Sequence, residues 1–198
     1  MKIKSVYYIK SASNVSHFPN YSYPEFAFMG RSNVGKSSLI NMIVGQKSLV
    51  KVGSKPGVTK SINFFMLNDR ISLADLPGYG YAKLPQNLRK TFLPLIKSYV
   101  KERYNLRLAF LLIDIRREPL EFERDIIIHL TEKEIPIAII ATKCDKLSKM
   151  NTMKNAKKIA SKLEIDTDSI YFSSSKTGES RKGILNLIEE FSRKDAKI

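Results

Sequence analysis

Residues 30–37, "GRSNVGKS", carry the residue types that hold phosphate groups. Gly30 and Gly35 let the backbone wrap closely, so that several N–H groups can point at one anionic centre. Lys36 adds a positive charge for the β- and γ-phosphates, and the Ser37 hydroxyl can ligate Mg²⁺. The segment matches the pattern G-x-x-x-x-G-K-[ST] in full. It therefore predicts a nucleoside triphosphate with Mg²⁺ as the ligand.

The flanks of this segment agree with that prediction. The apolar run "EFAFMG" (25–30) predicts a strand, and "KSSLINMIVG" (36–45) predicts a helix that ends at a glycine. The positive end of the helix then faces the phosphates. The alternative, a chance glycine-rich turn, does not explain why a strand precedes the segment and a helix follows it.

A second motif, "TKCD" (142–145), directly follows the apolar residues 135–141. The Asp145 carboxylate can accept from two adjacent N–H groups on one edge of guanine, and adenine offers no such pair. The stem of Lys143 can lie along the purine face. By analogy with base readout in nucleic acids, a bidentate contact discriminates by roughly 1–3 kcal/mol. GTP is thus favoured over ATP, while the alternative is an ordinary solvated strand end.

Three shorter segments supply further candidate groups. In "DLPG", Asp75 would hold a water of the Mg²⁺ ion and the Gly78 N–H would reach the γ-phosphate. In "KPGVTKS", Thr59 can offer its hydroxyl to Mg²⁺ when the γ-phosphate is present, as in loops that order with a triphosphate. In "SSSK", backbone N–H groups near Ser174 could meet the guanine carbonyl, with a plain polar turn as the equal alternative.

The elements that must position these groups alternate between strand and helix. The pattern predicts strands at 25–30, 61–68, 70–78, 106–116, 135–143 and 169–174, and helices at 36–45, 87–104, 119–134, 148–163 and 181–194. This order favours a three-layer α/β fold of the P-loop type, with a mostly parallel sheet covered by helices on both faces. We expect a single domain over 1–198, with 1–22 as an edge strand or an arm.

Composition limits the alternatives. Cys144 is the only cysteine, which excludes a disulfide within the chain, and the two histidines lie far apart, which disfavours zinc. No apolar run reaches about 18 residues, so no membrane span is expected. The N-terminus lacks an apolar signal core, and we therefore expect a cytoplasmic protein.

The net charge of +15 points to a polyanionic partner, although a coding bias toward lysine would give the same balance. Lys154, Lys157, Lys158 and Lys162 fall on one arc of the predicted helix 148–163, where they could neutralise RNA phosphates. Tyr79 and Tyr81 could stack on a base or simply pack. The other basic candidates are Lys83, Arg89, Lys90, Arg116, Arg117, Arg181 and Lys182.

Taken together, the segments "GRSNVGKSSLIN", "KPGVTKSINFF", "DLPGYGYA", "ATKCDKL" and "FSSSK" resemble those of the EngB family of bacterial GTPases, in the translation-factor-related class. The matched blocks run in order from residue 25 to about 176. The resemblance implies a small α/β GTPase that acts as a switch in assembly of the large (50S) ribosomal subunit. The partner would be the large subunit or its RNA precursor, and we expect the protein to be a monomer.

With this resemblance, Lys36, Thr59 and Gly78 are the candidate catalytic residues. Ser37, Thr59 and Asp75 are the candidate Mg²⁺ groups, with Asp75 acting through water. The candidate GTP-binding residues are Gly30, Arg31, Ser32, Asn33, Val34, Gly35, Lys36, Ser37, Ser38, Gly57, Val58, Thr59, Lys60, Ser61, Asp75, Leu76, Pro77, Gly78, Thr142, Lys143, Cys144, Asp145, Ser173, Ser174 and Ser175.

Three positions bear on the rate of GTP hydrolysis and on the affinity for GTP. Tyr79 stands where many signalling GTPases carry a glutamine that orients water, so we expect intrinsic turnover on the order of 10⁻³ s⁻¹ or less. In related GTPases an asparagine at the position of Asn33 is associated with stimulation by K⁺; a cap on the loop backbone is the alternative. Thr142 replaces a common asparagine, which predicts weak GTP binding.

Three other functions are compatible with parts of the pattern. A P-loop kinase acting on a metabolite would leave "TKCD" without a function. An RNA-binding scaffold with an idle pocket would not need Lys36, Ser37, Thr59 and Asp75 together. A GTPase switch with a protein partner in cell division or septation would bind with little dependence on salt.

Overall fold

Strands and helices alternate through the parts of the chain that the structure, a computed structural model, describes: residues 1–50, 61–79 and 85–193. The strands are β1 Val6–Ala12, β2 Glu25–Gly30, β3 Ile62–Leu67, β4 Ile71–Asp75, β5 Leu106–Asp114, β6 Ile137–Thr142 and β7 Ile170–Phe172. The α-helices are α1 Lys36–Val44, α2 Pro85–Glu102, α3 Glu121–Glu132, α4 Lys149–Leu163 and α5 Arg181–Ser192. The alternation predicted from the sequence is confirmed.

The described strands form one sheet in the order β1-β3-β4-β2-β5-β6-β7. The pairs from β4 to β7 are parallel, and the pairs β1/β3 and β3/β4 are antiparallel. The carboxyl ends of β2, β4, β5, β6 and β7 therefore lie along one edge of the sheet. Open α/β sheets bind ligands outside this edge.

Helices cover both faces of the sheet, as the continuous apolar strands require. On one face, apolar side chains of α2, α3 and α4 pack with the sheet, including Tyr99, Ile126 and Leu163. On the other face, α1 and α5 do so, including Leu39 and Ile188. The predicted three-layer α/β fold is confirmed.

Several strands predicted from the sequence extend beyond the carboxyl ends that the structure shows. β4 ends at Asp75, β6 at Thr142 and β7 at Phe172, whereas the pattern extends these strands to 78, 143 and 174. The reason is common to all three, because the residues beyond each end turn away from the ladder to line the candidate site. At the other end of the chain, β1 pairs with β3 as an edge strand, which was one of the two expectations for residues 1–22.

A buried ion pair lies at the end of the sheet opposite the ligand site, where β2 begins. The Glu25 carboxylate accepts from Arg103 Nε at 2.8 Å and from Arg103 Nη2 at 2.6 Å. It also accepts from the Tyr99 hydroxyl at 2.7 Å and the Ser72 hydroxyl at 2.7 Å. With these four donors the buried carboxylate is satisfied. Tyr99 and Arg103 thereby hold the end of α2 against the start of β2.

Among the described residues, we find no helix that is both long and apolar enough to cross a membrane.

Candidate nucleotide-binding site

The loop between β2 and α1 has the backbone geometry expected of a phosphate cradle. Gly35 has φ +106°, a conformation that side-chain-bearing residues rarely adopt. At Gly30 an added Cβ would lie 2.9 Å from the carbonyl oxygen of Leu112 and 2.9 Å from Val34 Cγ1. Both glycines are thus required by the local geometry, one by conformation and one by close packing against β5.

The first turn of α1 is open to an anion. Helix α1 begins at Lys36 after the cap residue Gly35, which has no side chain to bond the first N–H groups. The first turn also carries no acidic residue, and Ser37 and Ser38 lie there half-buried. These N–H groups, together with the helix dipole, favour a bound phosphate.

Lys36 and Asp75 form an ion pair in which both side chains are nearly buried. Lys36 Nζ contacts Asp75 Oδ1, with 10% of the lysine side chain and 6% of the aspartate side chain exposed. Asp75 is the last residue of β4. The parallel pairing of β2 with β4 places it beside residues 30–37, which we call the phosphate loop. The sequence assigned these two groups to phosphate and to a Mg²⁺ water, and the fold brings them into direct contact.

The segment after β4 lies directly on the phosphate loop. Ser32 N–H donates to the Tyr79 carbonyl at 2.6 Å, and Tyr79 N–H donates to the Gly30 carbonyl at 3.4 Å. A Cβ at Gly78 would meet Ser32 Cα at 3.0 Å, so this approach needs glycine. Leu76 N–H donates to the Phe28 carbonyl at 3.0 Å. Gly78 therefore lies against the phosphate loop, and its contact with the γ-phosphate stays a prediction.

The "TKCD" segment (142–145) is also hydrogen-bonded to the phosphate loop. The Thr142 hydroxyl lies 2.7 Å from the Val34 carbonyl, and Lys143 Nζ donates to the Asn33 carbonyl at 2.6 Å. Lys143 has φ +62°, a left-handed backbone conformation that is uncommon for a residue other than glycine. A threonine at 142 thus still reaches the phosphate loop, through one short hydrogen bond.

Asp145 and the end of β7 lie together. The Ser174 hydroxyl donates to Asp145 Oδ1 at 2.7 Å, and Cys144 N–H donates to the Ser173 carbonyl at 3.1 Å. The hydrogen bond from Ser174 lowers the pKa of Asp145, with the ammonium of Lys146 acting in the same direction. Asp145 is therefore ionised at neutral pH, as a double acceptor must be.

Cys144 has a structural environment. Its side chain is buried and its Sγ donates to the Ala141 carbonyl at 3.2 Å. Burial raises the pKa of the thiol to about 11, so that the thiolate is scarce at neutral pH. Its backbone, rather than its sulfur, contributes to the site.

Asp114 lies in the candidate site but was not singled out from the sequence. It ends β5, and its Oδ2 lies 3.0 Å from Lys143 Nζ and 2.7 Å from Arg116 Nη2. Burial opposes ionisation, but the hydrogen bonds from Arg116 and Lys143 outweigh it and lower the pKa of the carboxyl. The carboxylate holds Lys143 in place. A carboxylate at the end of an otherwise apolar strand was the available signal.

The other candidates divide into three groups. Gly57, Val58, Thr59 and Lys60 lie outside the described residues, as do Tyr81 and Lys83, and so do the side chains of Arg89 and Lys90. Ser61 precedes β3, Pro77 lies between Leu76 and Gly78, and Ser175 is exposed after β7. Two basic candidates have internal partners, since Arg116 pairs with Asp114 and Arg181 Nε donates to the Met42 carbonyl at 2.8 Å.

Comparisons with known proteins agree with this geometry. The family model described as "50S ribosome-binding GTPase" matches residues 25–143. A "Probable GTP-binding protein EngB" of Desulforapulum autotrophicum is 51% identical over 177 residues, 89% of this chain and 91% of the relative. A protein of the same name from Geotalea daltonii is 44% identical over 190 residues, 96% of this chain and 92% of the relative.

A solved structure agrees as well. The crystal structure of a probable GTP-binding protein engB superposes with a TM-score of 0.70 at 26% identity, covering 85% of this chain and 98% of that one. The level of identity to the EngB proteins and the extent of the matches are sufficient to assign the family. This chain belongs to the EngB family of GTP-binding proteins and is a GTPase.

Proposed function

We propose that the phosphates of GTP bind at the loop 30–37 and that its guanine binds at "TKCD" and the end of β7. The direct hydrogen bonds from Thr142 and Lys143 to the phosphate loop support this, because they fix the distance between the two halves of the site. The Ser174 hydroxyl donates to the Asp145 carboxylate and so restrains its orientation, which supports a role in holding the base. The whole chain then acts as one GTP-binding domain.

Mg²⁺ suits the donor groups at the phosphate end. The hydroxyl of Ser37 follows Lys36 on the first turn of α1, and the carboxylate of Asp75 contacts Lys36, so both lie beside the phosphate loop. Mg²⁺ prefers few protein oxygens together with waters and phosphate oxygens. We propose that Ser37 and Thr59 ligate the ion and that Asp75 holds one of its waters. The bound ion would neutralise charge on the β- and γ-phosphates.

Replacing Asp75 by asparagine is expected to remove the effect of Mg²⁺ on GDP affinity. We expect Mg²⁺ to strengthen GDP binding about tenfold in the wild type and less than about twofold in Asp75→Asn. Without Mg²⁺ the variant should bind GDP at least as well, since Lys36 no longer has a carboxylate partner. Titrations with labelled GDP with and without Mg²⁺ measure this, with Asp168→Asn as a control. Equal dependence in Asp75→Asn and the wild type would contradict the role of Asp75.

We also propose that the GTPase acts as a switch in assembly of the large ribosomal subunit, by binding its RNA. The observation that carries this proposal is the exposed face of α4. Lys154, Lys157, Lys158 and Lys162 are exposed, and Ala156, Ile159, Ala160 and Leu163 on the opposite face are buried. An exposed row of lysines can neutralise RNA phosphates without reading sequence. The family description, "50S ribosome-binding GTPase", supports the same partner.

Co-sedimentation with large-subunit particles tests this proposal, with GDP and with a non-hydrolysable GTP analogue. We expect association mainly with the analogue, weakening at least about tenfold between 50 and 200 mM salt. The triple variant Lys154→Glu, Lys157→Glu, Lys158→Glu should lose association.

The matched control is Lys2→Glu, Lys4→Glu, Lys10→Glu, which changes the net charge equally at exposed lysines near β1. Equal losses in both variants would contradict a role for α4. Association that is insensitive to salt would contradict RNA as the partner and favour a protein partner.

K⁺ is proposed as a second ion, on the side chain of Asn33. Asn33 is exposed in the phosphate loop with φ +62°, and its carbonyl is fastened by Lys143. We expect GTP hydrolysis at least about fivefold faster in K⁺ than in Na⁺, because a cation there would offset phosphate charge. Asn33→Ala should abolish this difference, and Asn186→Ala on α5 should retain it. Equal wild-type rates in the two salts would contradict the proposal.

A further inference from the structure

A buried polar cluster lies between the first turn of α3 and the phosphate loop. It consists of Arg31, Tyr79 and Glu123, and we call it the α3 cluster. Glu123 is only 1% exposed and Tyr79 only 2%. A carboxylate is seldom buried to this extent without a specific partner, so the cluster requires an explanation.

Glu123 makes one short hydrogen bond and faces two other polar groups. Its Oε2 accepts from the Leu120 N–H at 2.7 Å, which caps the start of α3. Burial raises its pKa, while the charge of Arg31 and the hydroxyl of Tyr79 act in the opposite direction. The backbone cap uses only part of the carboxylate's capacity, which leaves it able to accept from further donors.

Tyr79 is held by its ring and by its backbone. Its ring packs edge-to-face on Phe122 with 4.7 Å between the centroids. Burial and then the carboxylate of Glu123 raise the pKa of its hydroxyl. That hydroxyl makes no hydrogen bond of standard geometry within the described part of the chain. Its backbone, meanwhile, bonds to Ser32 and to Gly30 in the phosphate loop.

Arg31 completes the cluster from the phosphate loop. It pairs with Tyr79 in a short parallel bridge, and its Nε is buried without a hydrogen bond among the described residues. Arg31 and Glu123 line one small cavity, and the charge of Arg31 acts to lower the pKa of both Tyr79 and Glu123. The α3 cluster therefore connects three elements: α3, the phosphate loop and the segment that carries Gly78.

We propose that Glu123 is a positioning residue for GTP hydrolysis, which holds Tyr79 and thereby fixes the backbone of Gly78 against the phosphate loop. The inference rests on the proposed contact between the Gly78 N–H and the γ-phosphate. Since the diphosphate lacks that group, the cluster affects the triphosphate state selectively. A displacement of about 1 Å at such a contact can cost about a hundredfold in rate.

The experiment compares Glu123→Ala and Glu123→Gln with the neighbouring Glu121→Gln as control. Single-turnover hydrolysis at saturating protein gives kcat, and titrations give the affinity ratio of a non-hydrolysable GTP analogue to GDP. We expect Glu123→Ala to lower kcat about tenfold and the ratio about fivefold, with GDP affinity within twofold. Glu123→Gln should restore most of kcat, because its amide oxygen can still accept from the Leu120 N–H and the amide keeps a polar group beside the Tyr79 hydroxyl.

Tyr79→Phe keeps the ring on Phe122 and removes the hydroxyl, so it reports on the cluster even if Glu123→Ala folds poorly. We expect kcat to fall about threefold with unchanged GDP affinity. A merely structural cap would give the opposite pattern: Glu123→Ala would lower the melting temperature but leave kcat and the affinity ratio of the folded protein unchanged. That result would overturn the proposal. Failure of the wild type to bind GDP would instead contradict the proposed function.

Discussion

Replacing Lys36 by alanine should weaken GDP binding by at least about a hundredfold, which corresponds to about 3 kcal/mol. Two effects add. The variant loses the side-chain charge directed at the phosphates, and charge-assisted contacts of this kind are among the strongest in proteins. It also leaves the buried Asp75 carboxylate without its partner, so that an unpaired negative charge faces the phosphates. Titration with labelled GDP measures the loss, with Lys154→Ala on α4 as the control.

The double variant Lys36→Ala, Asp75→Asn distinguishes an effect on protein stability from an effect on GDP binding. The single variant leaves a buried charge uncompensated and should therefore lower the melting temperature. The double variant removes that charge and should recover the melting temperature, but GDP binding should stay weak. Binding of GDP by Lys36→Ala at wild-type strength would contradict the assignment of the phosphate end of the site.

Replacing Asp145 by asparagine should move the base preference from guanine to xanthine. The wild-type carboxylate is held by Ser174 at 2.7 Å. In the proposed complex it would accept two N–H groups of guanine. The asparagine amide presents one donor and one acceptor, which suits the extra carbonyl of xanthine. We expect GDP to weaken at least about a hundredfold and xanthosine diphosphate to strengthen by a similar factor, since unpaired polar groups in a site are costly.

Competition of GDP and xanthosine diphosphate against a labelled nucleotide measures this exchange, and Asp168→Asn is the control. The pH dependence should agree with it. Because the folded-state pKa of Asp145 lies below the ordinary 3.8, the carboxylate stays ionised from neutral pH down to that range. Guanine binding should therefore remain constant through mildly acidic pH and decline only as the pH falls through the lowered pKa. An unchanged base preference in Asp145→Asn would contradict the assignment of the base end.

Local patterns were sufficient to predict most of the fold, and they singled out segments that the fold brings together at the candidate site. The phosphate loop requires glycines at fixed spacing, and the observed φ of Gly35 explains one of them. The buried strand β5 was apparent as a continuous apolar run. In α4 the lysines and the apolar residues segregate at helical spacing, as predicted.

Contacts between distant residues could not be predicted in this way. Glu25 and Arg103 are 78 positions apart, and Lys143 and Asn33 are 110 apart. No local pattern relates such residues, because their proximity depends on how the strands are ordered in the sheet. Glu123 illustrates the same limit, since its sequence context indicates a helix start but not a contact with Tyr79.

The strand ends were overestimated for a related reason. Apolar runs continue into "LPG" after Asp75, where Leu76 is buried although the strand has ended. Burial against the phosphate loop and burial within a sheet give the same pattern in the sequence. The segments that leave the sheet are therefore the ones that form the site.

The central claim is that one ligand is recognised at both ends, by the backbone cradle at 30–37 and by Asp145. Calorimetric titration of the wild-type protein with GDP and with ADP under identical conditions tests it most directly. The phosphates of the two ligands are the same, so any difference arises at the base. We expect GDP to bind at least about a hundredfold more tightly than ADP, in a one-to-one complex. Equal affinities for GDP and ADP would contradict the claim.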